Sequence, residues 1–406
     1  MRNMIDFELI EKVEKKLQPE FEKLEKTSLY NQNKVLNAFK KNKIALRHFY
    51  GSTGYGYGDE GRDALNSLFA SVFNTEDAIC SPNIVSGTHA LAVCLYGILK
   101  PGDTFLSITG EPYDTLTDII GGQDVGSLKD YGIKFESIPL VDGKFDLKEI
   151  YERLKNNTYK MVYLQRSRGY DWRNALSLCE IESAVNFLRN DCEFSDCIMV
   201  DNCYGEFIDV REPTEAGADI VAGSMIKNPG GGIAPTGGYV AGLKKYVQQV
   251  RNRLIAPAIA GEVGSYYNGY QYFYQGLFIA PHVVKEALKG AMLFSSVLSE
   301  LGYETLPHRF ERPNDIITSI KFGDKDKLVG FIQTVQSNSP IDSFVTVEPW
   351  EMPGYEDRVV MAAGCFVQGS SIELSADAPI RPPYIAYLQG GLTYEHCKIV
   401  LRNMNL

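Results

Sequence analysis

The chain has 406 residues, of which 44% are hydrophobic and 23% charged, and carries a formal net charge of −10. That length buries a core large enough for one big domain and a smaller one, and the acidic balance gives no electrostatic reason to expect nucleic acid or an anionic membrane as partner. No apolar run is long enough to span a bilayer. The start, MRNMIDFELIEKVEKKL, reads as a charged amphipathic helix rather than a signal peptide, so a cytoplasmic protein is expected. None of the eight cysteines forms a C-x-x-C pair, which favours ordinary reduced thiols over a metal site or a disulfide framework.

In chain order, residues 1–50 read as a helical, charged N-terminal arm. The loop HFYGSTGYGYGDEGRDAL follows, then a helix over 63–73. From there short apolar strands alternate with helices: strands at 78–81, 104–108, 134–139, 161–165, 198–201 and 220–224, with helices at 88–99, 146–154 and 181–190 between them. This alternation predicts an α/β fold with a mainly parallel sheet covered on both faces. Residues 251–280 contain GSYYNGYQYFYQGLF, an aromatic stretch read as core or subunit interface. A helix over 282–301 then leads into strand-like runs. The expected organisation is the arm, a large α/β domain over 51–280 and a smaller α+β domain over 281–406.

Lys227 lies in GSMIKNPGGGIAPTGGYVAG, directly after an apolar strand and before a glycine-rich turn. An amine so placed is poorly suited to be a solvated surface charge and well suited to be desolvated, lowered in pKa and joined to an aldehyde as a Schiff base. A P-loop is excluded, because its lysine follows the glycines and precedes Ser or Thr, whereas Lys227 precedes them and Asn228 follows.

Four upstream features take on meaning beside it. Ser86-Gly87-Thr88 opens an apolar helix, where unpaired amides and the helix dipole suit a phosphate; an ordinary N-cap is the plainer reading. Asp201 ends an apolar strand, where open α/β sheets bind ligands, and suits a pyridine nitrogen, a metal or a loop cap. Tyr113 follows another strand and offers a ring for a flat ligand or a simple turn residue. Ser224 stands three residues before Lys227 and can reach a phosphate or bond to backbone.

In the order S-G-T, Tyr, Asp, S-x-x-K, each at a strand end, these features resemble the fold-type I pyridoxal-phosphate enzymes. More closely, the stretches TGYGYGDEGRDAL, VSGTHAL, GEPYDTL, LQRSRGY, VDNCYGEF and GSMIKNPGGGIAPTGGY resemble the methionine γ-lyase-like branch of the cystathionine lyase group, the "aluminium resistance" carbon–sulfur lyases. The resemblance implies a seven-stranded sheet in the large domain and pyridoxal 5'-phosphate as cofactor. It also implies Lys227 as the residue bonded to the cofactor and as proton shuttle, Asp201 on the pyridine nitrogen, Tyr113 against the ring, and Ser86, Gly87, Thr88 and Ser224 around the phosphate.

In that group a Tyr-x-Arg motif reaches into the neighbouring subunit's phosphate site. Here it reads Tyr55-Gly56-Tyr57, with the tyrosine kept and Tyr57 where the arginine stands, and Arg62 nearby as a substitute or a surface residue. Tyr55 or Tyr113 would assist proton transfer to the leaving sulfur. Arg381, between prolines, and Arg168 are the candidates for the substrate carboxylate, since a guanidinium fork matches it; Arg166 and Arg173 read as surface residues. The implied activity is β- or γ-elimination from a sulfur-containing amino acid of the methionine, cystathionine or cysteine type, in a homodimer or homotetramer with shared sites. An aminotransferase and a non-catalytic binding protein on the same fold are the alternatives.

Overall fold

The computed structural model describes residues 5–352 and 355–404. Helix α1 (Phe7–Lys41) and α2 (Glu60–Val72) precede the first strand, each capped at its N-terminus by an aspartate, Asp6 and Asp59. Then come β1 (Asp77–Ser81), α3 (Gly87–Ile98), β2 (Thr104–Ser107), α4 (Thr117–Gly121), β3 (Lys134–Ser137), α5 (Leu147–Asn156), β4 (Met161–Gln165), α6 (Leu178–Asn190), β5 (Cys197–Asp201) and β6 (Ile220–Ser224), close to the spans the sequence predicts. Two further elements follow, β7 (Gly238–Gly242) and α7 (Lys244–Leu254).

The seven strands form one sheet in the order β1-β7-β6-β5-β4-β2-β3, in which β7 alone runs against the others. Successive side chains of a strand point to opposite faces, and the core divides accordingly. Ile198 and Val200 join the cluster beneath α6, whereas Cys197 and Met199 join the one beneath α3 and α7. Runs of apolar residues without polar alternation arise because both faces are covered.

Strand β7 escapes a reading by composition, since glycine-rich segments signal turns. Here the glycines serve close packing: a Cβ on Gly238 would meet Ile84 Cγ2 at 2.5 Å, and one on Gly242 the Asp219 carbonyl oxygen at a still closer approach.

Helix α8 (Gln271–Glu300) corrects one expectation. It starts within the aromatic stretch, well before residue 282, and residues 280 and 281 both lie inside it. The N-terminal segment packs onto the body of the chain. Ile10, Val13, Leu17, Phe21 and Leu24 of α1 bury their side chains in the main core, and Lys289 of α8 pairs with Glu25.

Beyond α8 lie β8 (Glu304–Leu306), β9 (Ile317–Lys321), α9 (Lys325–Ser337), β10 (Val359–Ala362), β11 (Ser375–Pro379), β12 (Ile385–Gln389) and α10 (Tyr394–Arg402). The strands form an antiparallel sheet, β10-β11-β12-β9-β8. No helix among the described residues is long and apolar enough to cross a membrane.

Candidate active site

The carboxyl ends of β5 and β6, the N-terminus of α3 and the inner edge of the second sheet enclose a cavity of about 210 Å³. Gly87, Thr88, Tyr113, Asp201, Ser224 and Lys227 all line it, as does Ser86. The sequence scatters these residues over more than a hundred positions; parallel strands place their ends on one rim.

At the α3 end, Ser86 is the N-cap, its Oγ accepting from the His89 amide at 3.0 Å. That leaves the first amides of the helix without intrahelical acceptors. A Cβ on Gly87 would lie 3.3 Å from Ser224 Cβ and 3.4 Å from Cys203 Sγ, so glycine lets the helix end approach β6 closely. Thr88 Oγ1 lies 2.9 Å from Thr115 Oγ1. Together these groups make a cradle for an anion.

Asp201 is the last residue of β5 and is 6% exposed. Its Oδ1 accepts from the Cys203 amide at 3.0 Å and its Oδ2 from the Tyr163 hydroxyl at 3.4 Å. Burial raises its pKa above the ordinary aspartate value, with Lys227 and these hydrogen bonds opposing the rise.

The Lys227 Nζ lies 3.6 Å from the centroid of the Tyr204 ring. Burial works against its charge, but the acidic groups of Cys203, Tyr204 and Asp201 outweigh it and raise the amine above the usual lysine value, the reverse of the lowering that burial alone leads one to expect. Tyr113 donates its amide to Gln165 Oε1 at 2.7 Å, sets its ring edge-on to Tyr170 at 5.6 Å, and shares a 2.8 Å hydrogen bond with the Tyr355 hydroxyl. Burial pushes its phenol well above the ordinary value.

Both candidate arginines are corrected. Arg168 does not line the cavity. Its guanidinium is buried, donating to the Leu306 carbonyl at 2.9 Å, Ser319 Oγ at 3.1 Å and Asp315 Oδ1 at 3.2 Å, so it braces the β4–α6 loop against the second sheet. Arg381 pairs with Asp357 at 3.0 Å on the surface and also stays off the lining. Arg166 and Arg173 are buried rather than solvated. Arg166 donates to Asn202 Oδ1 at 2.9 Å and to the Gly205 carbonyl at 2.8 Å; Arg173 donates to the Ser167 carbonyl at 2.6 Å.

Tyr55 and Tyr57 stand outside this cavity, 71% and 66% exposed, with ring centroids 5.5 Å apart. Arg62 shapes their loop: buried at the first turn of α2, it donates to the Gly56 carbonyl at 3.1 Å and pairs with Asp63 at 2.8 Å.

Sequence reasoning passed over Tyr170, Tyr204, Glu206 and Asp377. Asp377, Tyr170 and Tyr204 line the cavity; Glu206 lies under β6, where a Cβ on Gly223 would meet its Oε1 at 2.6 Å. A usable signal existed for Asp377, a carboxylate inside the otherwise small, uncharged strand Ser375–Pro379.

This architecture is that of the fold-type I pyridoxal-phosphate enzymes, and its likeness to known proteins is extensive. The family model for methionine gamma-lyase matches residues 6–405, and the chain belongs to that family. A protein of Bacillus subtilis (strain 168), YnbB, is 47% identical over 379 residues, 92% of this chain and 90% of the relative. The crystal structure of a carbon–sulfur lyase involved in aluminum resistance from Clostridium novyi NT superposes with a TM-score of 0.93 at 51% identity, covering 98% of this chain and 94% of that one. The pyridoxal-5'-phosphate-dependent protein YhfS of Escherichia coli shares the fold, with a TM-score of 0.63 at 14% identity over 93% of this chain and 96% of its own.

Proposed function

We propose that the chain is a pyridoxal-phosphate-dependent carbon–sulfur lyase acting on an amino acid with a thioether or thiol side chain. The observation that carries the reading is the convergence of an anion cradle, a buried carboxylate, an aromatic ring and a lysine amine on one cavity. That donor set fits a pyridoxal phosphate. Gly87, Thr88 and Ser224 would hold its phosphate, Asp201 its pyridine nitrogen, Tyr113 its ring and Lys227 its aldehyde. Bound there, the cofactor supplies an aldehyde for the substrate amine and a protonated ring that takes up electrons from the α-carbon.

The protein's own groups do the rest. Lys227 Nζ takes the α-proton and returns it later in the reaction. Asp201, whose charged form Lys227 and the Cys203 and Tyr163 hydrogen bonds favour against burial, would hold a proton on the pyridine nitrogen. The Tyr113 phenol stays protonated and hydrogen-bonded to Tyr355, so it is a donor for the departing sulfur. The carbon–sulfur bond breaks, sulfur leaves as a thiol from a thioether or as hydrogen sulfide from a thiol, and water hydrolyses the remaining fragment to a 2-oxo acid and ammonia.

Assembly belongs to the same reading. Tyr55 and Tyr57 project from an ordered loop into solvent, as side chains that complete a neighbouring subunit's site would, so a homodimer is the minimum active form and a homotetramer the fuller one. Purified protein should be yellow and release thiol from cystathionine or methionine, or hydrogen sulfide from cysteine, together with 2-oxo acid; Lys227→Ala should lose both colour and release. A wild-type protein that takes up no cofactor refutes the reading, and an active monomer in sedimentation refutes the assembly.

A further inference from the structure

Tyr113 cannot give up its hydroxyl proton without consequence. The phenolate left behind would stand in the cavity wall, where burial raises its pKa well above the ordinary phenol value and Asp377 and Tyr355 add to the rise. An ionised group in such a place is costly unless a donor satisfies it at once. That donor must be a neighbour whose own proton is not already committed.

Tyr170 fails that condition. Its ring centroid lies 5.6 Å from that of Tyr113, but its hydroxyl donates to Asp377 Oδ2 at 2.8 Å. Tyr204 fails it too, since its hydroxyl donates to Ser371 Oγ at 3.3 Å. Tyr355 meets it. Its hydroxyl shares a 2.8 Å hydrogen bond with the Tyr113 hydroxyl in which either oxygen can donate, and its ring stands edge-on to Tyr113 at 6.2 Å. Tyr355 is half-buried, which gives it access to water. Burial raises its phenol as well, but the shared hydrogen bond lowers Tyr355 while raising Tyr113, so a proton passes downhill from Tyr355 to a Tyr113 phenolate. Two residues on, Asp357 pairs with Arg381 at 3.0 Å and tethers this segment just beyond the end of β11.

We propose that Tyr355 is a positioning residue that acts through Tyr113, relaying a proton from water to the departing sulfur. As the carbon–sulfur bond breaks, its electron pair stays with sulfur, which takes the Tyr113 hydroxyl proton. Tyr355 passes its own proton to the Tyr113 oxygen and takes another from solvent. The relay rests on the lyase reading, because it needs a departing sulfur to receive the proton.

Tyr355→Phe keeps the ring and removes the hydroxyl. Two substituted cysteines of like bulk read the effect in the cofactor-loaded enzyme. S-benzylcysteine releases a strongly basic thiolate that needs a proton on leaving; S-(para-nitrophenyl)cysteine releases a thiolate that is stable as the anion. In the variant, kcat for the benzyl substrate should fall about tenfold or more, while kcat for the nitrophenyl substrate stays within about twofold and KM changes little for either. Exchange of the substrate α-hydrogen in heavy water, followed by proton NMR, precedes departure of sulfur and should match the wild type.

An equal fall with both substrates, no fall with either, or a loss of α-hydrogen exchange in step with thiol release overturns the relay, since a merely structural Tyr355 would act on every step alike. Should Tyr355→Phe not fold, Asp357→Asn loosens the tether to Arg381 instead and should show the same selective loss; an unselective loss, or none, overturns the proposal. A wild type that releases neither thiol removes the relay and the lyase reading together. A wild type that releases both, beside a variant that does not discriminate between them, removes the relay alone.

Discussion

The Lys227 Nζ rests 3.6 Å from the centre of the Tyr204 ring, and Tyr204 holds a left-handed backbone, φ +69°, to present that face. A non-glycine residue in this region carries strain. Here the strained turn immediately follows Asp201, so one bend of chain orients both the carboxylate and the ring against the lysine.

Tyr204→Phe keeps the face under the amine and should retain cofactor colour and most activity. Tyr204→Ala keeps the strain and loses the ring, removing about 0.5–2 kcal/mol of interaction with the lysine. The measurement is visible absorbance after gel filtration together with kcat; equal behaviour of the two variants would show that the ring face is irrelevant.

Asp201→Asn should preserve the fold, since the amide oxygen can still accept from the Cys203 amide, while kcat falls by on the order of 10²-fold or more. The carboxylate's task is electrostatic, so binding of a substrate analogue should change little. A variant with wild-type kcat would remove Asp201 from the mechanism.

Glu206 supplies a pH test. Burial lifts its carboxyl from 4.5 to about 8; Tyr239 donates to Oε1 at 2.8 Å, and Oε2 has no partner among the described residues. The folded state therefore binds a proton that the unfolded chain releases between these two values. Stability falls as pH rises through that window, by at most about 1.4 kcal/mol per pH unit, and this contribution is flat outside it. Glu206→Gln removes the dependence, so its Tm advantage over wild type should widen from pH about 5 to pH about 8. A constant difference across that range would show that Glu206 is not protonated in the folded protein.

Arg168 and Asp315 form a pair 3.2 Å apart with side-chain exposures of 1% and 0%. Arg168→Ala leaves Asp315 buried and uncompensated, at a loss of about 3–5 kcal/mol, whereas the double variant Arg168→Met with Asp315→Leu should recover most of it. Thermal unfolding reads the stability, and KM reads the role. If KM for substrate rises in a double variant of restored stability, Arg168 does contact substrate after all.

The meeting of Ser86, Gly87, Thr88, Ser224 and Lys227 at one cavity was legible because its parts are local: Ser86-Gly87-Thr88 opens a helix, and Ser224 and Lys227 share one turn. The arginines were not, because a guanidinium's role depends on its nearest acid. Arg168 meets Asp315, which lies 147 positions away in the chain, and Arg381 meets Asp357. Strand β7 was missed because its glycines answer to packing against Ile84 and Asp219, contacts that composition does not record.

By itself, the sequence determined the alternating α/β order, the family, and the lysine, aspartate and helix start that line the cavity, since these follow from periodicity and from short-range turn and cap chemistry. Tertiary structure alone decided which charges are spent and which are free. It paired Arg168 and Arg381 away from the cavity, set Tyr204 under Lys227, and brought Asp377 of the second sheet to the cavity wall. The physical reason is that burial and partner choice arise from elements distant in the chain, and they govern the energy of a charge more strongly than its neighbours in sequence do.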